Sequence, residues 1–385
     1  MDTAGGGIRR AQVSAADAAG AVRQLHDALA RPDMALGLFF CSPDYALAEV
    51  AAEASRRFGD GPVIGCTTAG EIGPSGYRTG TISGVSFPSP DFAAAFRGID
   101  GLRDLSCSGI QALVQDLFRD LDGRVPGTRP DNRFAFMMID GLSRSEEPVA
   151  RMVQAALGPV PLLGGSAGDG LDFKESGVYF DRRFHTDGAV LALVSVPRPC
   201  RMLISQNFAA SDRRVVVTSA DTGNRIVHEL DGRPAAELYA ELIGVDAEDL
   251  GPEHFAAAPL AVTIGGMNYV RSIVRALPEG GLQFFCAVEE GIVLRVTSGE
   301  DAAEHLEQTF AALRDDIGEP DLVIGCDCVL RRLDLERRGT IGSVSEILTR
   351  NRVVGFNTYG EQYRGIHVTQ TFSGIAIGTG DAGND

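Results

Sequence analysis

The chain has 385 residues, enough for two domains that each bury a full core. With 44% hydrophobic and 23% charged residues it has the composition of a globular protein. A net charge of −17 and a pI near 4.8 exclude a general attraction to nucleic acid or to anionic membranes. No apolar run approaches the ~18–20 residues that span a bilayer. The first ten residues lack the apolar stretch of a secretory signal, so a cytoplasmic location is expected. Seven cysteines at irregular spacings fit reduced thiols rather than a disulfide framework.

Three segments follow one plan: apolar strand, amphipathic helix, apolar strand ending in a Gly-rich turn, then a hairpin. In the first, residues 35–41 read as a buried strand, and Ser42, Pro43 and Asp44 supply cap and turn. Leu47, Val50, Ala51, Ala54 and Phe58 then share one helix face. Gly61-Pro62 stops that helix before the next strand opens at Val63. The second segment has a strand at 134–139, a turn at 140–143, and a helix face of Val149, Met152, Val153 and Ala156. It closes in Ala167-Gly168-Asp169, where the first has Ala69-Gly70-Glu71. Strands near 178–180 and 189–194 flank Thr186-Asp187-Gly188, which reads as a hairpin turn.

Pro197 and Pro199 mark a linker into a less regular region, residues 196–320. Strands are expected there at 213–218, 225–228, 260–264, 273–276 and 284–288. Helices are expected after Pro234 and over 302–313. The third segment has a strand at 321–328 and a helix carrying Val344, Ile347 and Leu348, and it ends in residues 353–377. The fold class expected is mixed α/β: two related mixed-sheet modules, residues 20–197 and 198–385, with helices outside and sheets packed face to face.

Residues 353–377 echo residues 63–87 without a gap, 290 positions upstream. Nine of the twenty-five positions match: Val63, Gly65, Thr68, Gly70, Glu71, Thr79, Thr81, Ser83 and Gly84. Chance gives roughly two. The chain therefore carries an internal duplication. Where the first copy has Tyr77, the second has His367.

Gly65-Cys-Thr-Thr-Ala-Gly-Glu-Ile72, Gly164-Gly-Ser-Ala-Gly-Asp169, Leu230-Asp-Gly-Arg-Pro-Ala235 and Gly355-Phe-Asn-Thr-Tyr-Gly-Glu361 occur in an order that resembles the FIST family. That resemblance runs from about residue 20 to residue 378 and implies a sensory protein with an N-terminal and a C-terminal FIST module. The stretch Gly360-Glu-Gln-Tyr-Arg-Gly-Ile-His-Val-Thr-Gln-Thr-Phe-Ser-Gly374 resembles the nitric-oxide-sensing branch of the family, NosP. The branch resemblance implies haem b, and with it His367 as axial ligand. An imidazole is a common protein ligand to haem iron, and its second nitrogen then needs an acceptor. Thr369, Gln370 or a carbonyl across the hairpin is expected to serve. Read as strand neighbours, Gly365 and Thr369 share the His367 face, and Gly365 lowers the wall beside a flat macrocycle. Arg364, with Arg350 and Arg352, offers cations for propionates, and Tyr363 and Tyr359 offer pocket lining. His228 is the reserve ligand, and Cys66 or Cys286 a thiolate alternative.

Each of these has a plainer reading, in which His367 is a hydrogen-bonded strand histidine and the arginines are solvated. Cys326 and Cys328, two residues apart on a strand, form a candidate soft-metal or redox pair, or else two small buried hydrophobes. Thr67, Thr68 and Ser166 lie at Gly-rich turns without a nucleophile elbow around them. Glu71 and Glu361, at equivalent places in two copies, are expected to accept turn hydrogen bonds.

The resemblance thus implies a haem-based sensor of nitric oxide, not an enzyme. It acts through a separate histidine kinase or cyclic-di-GMP enzyme, by a shift between two states. A homo-oligomer is an open option. The alternative keeps the fold and binds another small ligand, such as an amino acid, without haem. A third reading is a redox or hydrolytic enzyme centred on Cys326/Cys328 or Thr67/Thr68.

Overall fold

The computed structural model describes residues 7–125, 132–264 and 267–379, with the backbone at 2–3. Three of its sheets repeat one strand order. In the first, Arg9–Val13, Ile82–Pro88 and Met34–Cys41 run antiparallel to one another, and Met34–Cys41 pairs in parallel with Val63–Thr67. In the second, Ala93–Asp100, Gly188–Ser195 and Arg133–Asp140 take those places, and Leu162–Ala167 is the parallel partner. In the third they fall to Cys200–Gln206, Thr371–Gly378 and Pro320–Cys328, with Val353–Thr358 as the partner.

Each sheet is completed by a hairpin that belongs to another unit. Val178–Phe180 and Arg183–His185, from the second unit, extend the first sheet. Glu361–Tyr363 and Ile366–Val368, from the third, extend the second. Glu71–Gly73 and Gly76–Arg78, from the first, extend the third and close the cycle. The equivalent central residues of these hairpins are Phe184, His367 and Tyr77.

Both faces of every sheet are covered, which is why the strands read as unbroken apolar runs. The inner faces share one core, where Phe40 of the first sheet stacks on Phe356 of the third at 4.7 Å and meets Phe136 of the second edge-on at 6.4 Å. The outer faces carry two helices each. These are Ala18–Leu29 with Leu47–Phe58, Cys107–Arg124 with Glu146–Leu157, and Ala302–Ile317 with Ile341–Arg350.

Backbone bonds tie the Gly-rich turns into a ring. Ala69 N donates to Asn357 O and Asn357 N to Gly70 O; Tyr359 N donates to Ser166 O and Ser166 N to Gly360 O; Gly168 N donates to Thr67 O and Gly170 N to Thr68 O. Inside the first and third turns a buried glutamate collects hydroxyls. Glu71 accepts from Thr68 and Thr81, and Glu361 from Thr358 and Thr371. The duplicated Gly-Glu is a structural device, as its repetition suggests, although hydroxyls outnumber amides among its partners.

A fourth sheet is inserted within the third unit, between its first strand Cys200–Gln206 and its helix Ala302–Ile317. It runs Met267–Arg271, Leu260–Ile264, Val293–Gly299, Phe208–Asp221, Ile226–Leu230, Leu282–Phe284 and Ile273–Ala276, with a core of its own. The expected mixed α/β class, with helices outside and strands inside, is what is observed. The expected boundary at 197/198 falls between Ser195 and Cys200, where the chain passes from the second sheet to the third. Both halves lend a hairpin across that boundary.

Three local expectations need correction, the first a strand expected at 284–288, where the strand is Leu282–Phe284. Thr186-Asp187-Gly188 joins strands of different sheets; the hairpin turn is Asp181-Arg182, both residues in left-handed backbone. The third unit also has a helix, Val329–Arg338, that starts directly from its strand, and the sequence reading missed it.

Burial, against its hydroxyl and amide bonds, raises the Glu71 carboxyl to about 7. From pH 4.5 to about 7 the folded chain keeps a proton that the unfolded chain releases, so stability falls as pH rises through that window. Glu71→Gln should remove this slope. In urea melts between pH 4 and 8, the variant should gain roughly 3 kcal/mol on the parent. A difference that does not vary with pH counts against the burial account.

Candidate functional site

A cleft of about 550 Å³ opens where the inserted sheet meets the second unit. The loops after two parallel strands of the second sheet form one wall: Gly141, Leu142 and Arg144 follow Arg133–Asp140, and Asp172, Phe173 and Lys174 follow Leu162–Ala167. The inserted sheet supplies Asn224, Arg225, Val274, Arg275, Gln283, Phe284 and Phe285. Ligands of open α/β sheets bind at the carboxyl ends of parallel strands, which is where this cleft lies.

The loop bearing Phe173 is held by Asp169, which accepts from the amides of Phe173, Lys174 and Glu175 and from the Tyr359 hydroxyl. The Tyr359 ring packs 4.6 Å from Phe173 and 6.2 Å from Phe285. Three lining residues, Arg144, Phe173 and Arg225, have left-handed backbone (φ 62°, 53° and 57°). Such conformations cost about 1 kcal/mol or more each and gather at functional sites.

Two ion pairs fasten the inserted sheet to the start of Glu146–Leu157. Arg225 Nη2 donates to Glu146 at 2.7 Å, and Arg271 Nη1 to Glu147 at 3.2 Å. Arg225 Nη1 also donates to the Phe285 carbonyl. Burial works against both charges, but Glu146 outweighs it at Arg225, and Cys286 with Glu147 outweighs it at Arg271, so both guanidiniums stay charged.

His367 is only 2% exposed. Its strand lies against Glu146–Leu157 and Met267–Arg271. Nδ1 sits 3.4 Å from Gln362 Nε2, which also donates to Ser166 at 3.0 Å. Nε2 has no partner. Burial first, then Arg225 and Arg271, push the imidazole down to about 3, so the ring is neutral at neutral pH. Gln362, the cross-strand neighbour, meets Nδ1 instead of Thr369 or Gln370, but with its amide N–H, a donor where an acceptor was expected. Those two reach the inserted domain instead, Thr369 through Ser272 and the Val270 carbonyl, Gln370 through the Ala256 carbonyl.

The other residues expected around a haem are not gathered at His367. Gly365 forms the hairpin turn with Arg364, both in left-handed backbone, and abuts Gln154 rather than facing a macrocycle. Arg364 lines a separate cleft with Arg133 and Arg201, and Tyr363 packs half-buried on the shared core. The His367 ring lies on Gly360, where an added Cβ would overlap it. A neutral imidazole can serve iron through Nε2 only if the Gln362 amide turns its oxygen to Nδ1, and in this closed arrangement the ring is packed against Gly360. The 550 Å³ cleft has the room, and no His, Cys, Met or Tyr is among the described residues that line it. Donor and room are in different places.

A FIST N domain model matches residues 35–233, and a FIST C domain model matches residues 235–364. The chain belongs to the FIST family. FIST domains are sensory domains of signalling proteins. This FIST chain is also 23% identical over 256 residues to "Uncharacterized protein MJ1623" of Methanocaldococcus jannaschii, an alignment covering 60% of this chain and 47% of that protein. The chain thus spans about half the length of that relative. Two solved cyanuric acid hydrolase structures, one from A. caulinodans, align with TM-scores of 0.37 at 10% and 9% identity. They cover 97% and 96% of this chain and 99% of theirs. Similarity of that size says nothing about activity.

The remaining candidates are structural in this FIST chain. Cys326 and Cys328 are buried and burial raises both thiols, which removes the thiolate that redox or soft-metal chemistry needs. Burial raises Cys66 and Cys286 likewise. Thr67 accepts from Gly177 N, Thr68 serves Glu71, and Ser166 accepts from Gln362. Arg350 pairs with Glu307 and Arg352 with Asp321, and His228 is exposed. The cleft arginines and phenylalanines escaped the sequence reading. Asn224-Arg225 reads only as a turn entering a strand, and nothing in the sequence marks an arginine for left-handed backbone.

Gly360 has φ 153° and no room for a side chain. Gly360→Ala should cost about 2–4 kcal/mol of stability, from backbone strain plus overlap with the ring. In a double-mutant cycle, His367→Ala should return 1 kcal/mol or more of that loss. Additive effects would place the ring away from Gly360.

Proposed function

We propose that this chain is a sensory protein whose small ligand enters the cleft between the second unit and the inserted sheet. The observation that carries this is the position of the cleft. It lies at the carboxyl ends of parallel strands and is closed by a domain that the rest of the chain holds through two ion pairs. A bound ligand touches both walls, so it favours the docked arrangement by its differential affinity for the two states. A signalling enzyme in trans, a histidine kinase or a cyclic-di-GMP enzyme, reads the change. An amino acid suits the lining: apolar and aromatic walls for a side chain, arginines for a carboxylate, Asp172 for an ammonium group.

Haem-based sensing of nitric oxide is the second reading, and one observation favours it: the buried, neutral His367, whose Nε2 has no partner among the described residues. If the hairpin Glu361–Tyr363/Ile366–Val368 moves off Gly360 and the Gln362 amide turns its oxygen to Nδ1, His367 would hold the iron, and Gln362 would orient the ring. Bound haem would supply the gas-binding iron; the chain's own part is to exclude water around His367 and keep the imidazole neutral.

Hemin titration of the purified chain separates the two. The cleft reading expects colourless protein that takes up no hemin, together with amino acids that raise Tm and protect amides at 222–226 and 273–285 from exchange. An intense Soret band, altered by nitric oxide and lost on His367→Ala, would reverse the order of the readings. Breaking the dock should also be visible. Glu146→Gln with Glu147→Gln should cost about 3–5 kcal/mol, since each change leaves a buried guanidinium unpaired. Exchange protection should fall first in residues 208–299.

A further inference from the structure

Within the cleft, charge and apolar surface are not evenly spread. Four cations line it, Arg144, Lys174, Arg225 and Arg275. Two are matched to carboxylates: Lys174 lies 3.3 Å from Asp172, and Arg225 lies 2.7 Å from Glu146. The other two are matched to neutral amides. Arg144 Nη1 donates to Asn224 Oδ1 at 2.8 Å, and Arg275 Nε donates to Gln283 Oε1 at 2.9 Å. Gln283 Nε2 in turn donates to the Asn224 carbonyl at 3.4 Å. Asn224 and Gln283 thus yoke the two arginines along one rim, and neither arginine forms an ion pair among the described residues. In a chain of net charge −17, two guanidiniums held by amides beside one cleft are an uncompensated positive site.

The rest of the lining is apolar: Leu142, Phe173, Val274, Phe284 and Phe285. Phe173 and Phe285 stand 5.6 Å apart, centre to centre, at 54°. Their rings are held by Tyr359 behind them and, for Phe173, by the left-handed backbone that Asp169 locks. Orientation is therefore set before anything binds, which lowers the entropy cost of binding a rigid body.

Resting on the cleft as the sensory site, we infer that its ligand is an aromatic carboxylate. The carboxylate is held at the rim by Arg144 and Arg275, and the ring lies between Phe173 and Phe285. Arginine forks suit a planar carboxylate, and ring faces suit a flat apolar body. Arg225 is not the anion receptor, because Glu146 and the Phe285 carbonyl already take its donors.

The test uses the full chain and three probes of known chemistry, benzoate, acetate and benzylamine, followed by calorimetry and by chemical-shift changes. Benzoate should bind saturably. Acetate, with the charge and no ring, and benzylamine, with the ring and opposite charge, should each bind at least roughly tenfold more weakly. Arg144→Gln and Arg275→Gln should each weaken benzoate roughly tenfold or more, with unchanged melting of the free protein. Phe173→Ala should weaken it without altering the salt dependence.

Benzylamine binding as tightly as benzoate, with sensitivity to Phe173→Ala, would overturn the anionic ligand and leave the cleft as the sensory site. Benzoate binding indifferent to Arg144→Gln, Arg275→Gln and Phe173→Ala alike would overturn both. Absence of saturable benzoate binding at ~10 mM would overturn the aromatic carboxylate outright.

Discussion

The structure depends on each sheet being unfinished. The edge strands Val63–Thr67, Leu162–Ala167 and Val353–Thr358 all expose backbone donors and acceptors that their own unit leaves unpaired. A buried orphan group costs about 1–3 kcal/mol, so each edge needs a partner. The partner comes from another unit, around a closed cycle, and the turns that launch the hairpins bond to one another in a ring. Three sheets that complete one another cannot separate without stripping a strand from each. The shared core of Phe40, Phe136 and Phe356 then follows, because the cycle leaves the three inner faces no other surface to cover.

Much of this was legible in the chain. The strand–helix–strand plan repeats three times because sheets covered on both faces demand apolar strands, and helices over one face demand a stripe at three- and four-residue spacing. The duplicated Gly-Glu was legible too, since the same turn needs the same carboxylate between two hydroxyls. What escaped reading was the exchange of hairpins. Sequence order places Glu361–Tyr363 after Val353–Thr358, and nothing in those residues says that they pair with Leu162–Ala167 instead. Strand residues alternate in the same way whichever partner they find. The turn at 186–188 misled for the same reason: its composition marks a reversal and not the sheet on the far side.

The site was read less well, because its ingredients are common residues brought together by the insertion. Arg144, Phe173, Arg225 and Phe285 come from four separate stretches and gain meaning only when the fourth sheet docks. His367 was found from the difference between the two copies, and its isolation in the core is real. Gln362 as its neighbour could not be chosen without register, whereas Gly365 was misplaced because a strand was assumed where the chain turns.

The three central hairpin positions show why the asymmetry lies where it does. Tyr77 ends its path in a hydrogen bond to Asp327, and Phe184 packs on Phe39 and Tyr179, so both rings are fully used by the scaffold. His367 alone has an unused polar atom. Its hairpin is also the one flanked by the inserted domain, whose Arg225 and Arg271 act on the imidazole and whose Ser272 holds Thr369. An insertion at one of three equivalent places frees that place from the packing rules that bind the other two. The cleft, Arg144 and Arg225 in left-handed backbone, and the His367 imidazole lie along that one seam. A ligand bridging that seam would act on the docked domain while the closed ring of sheets behind it stays fixed.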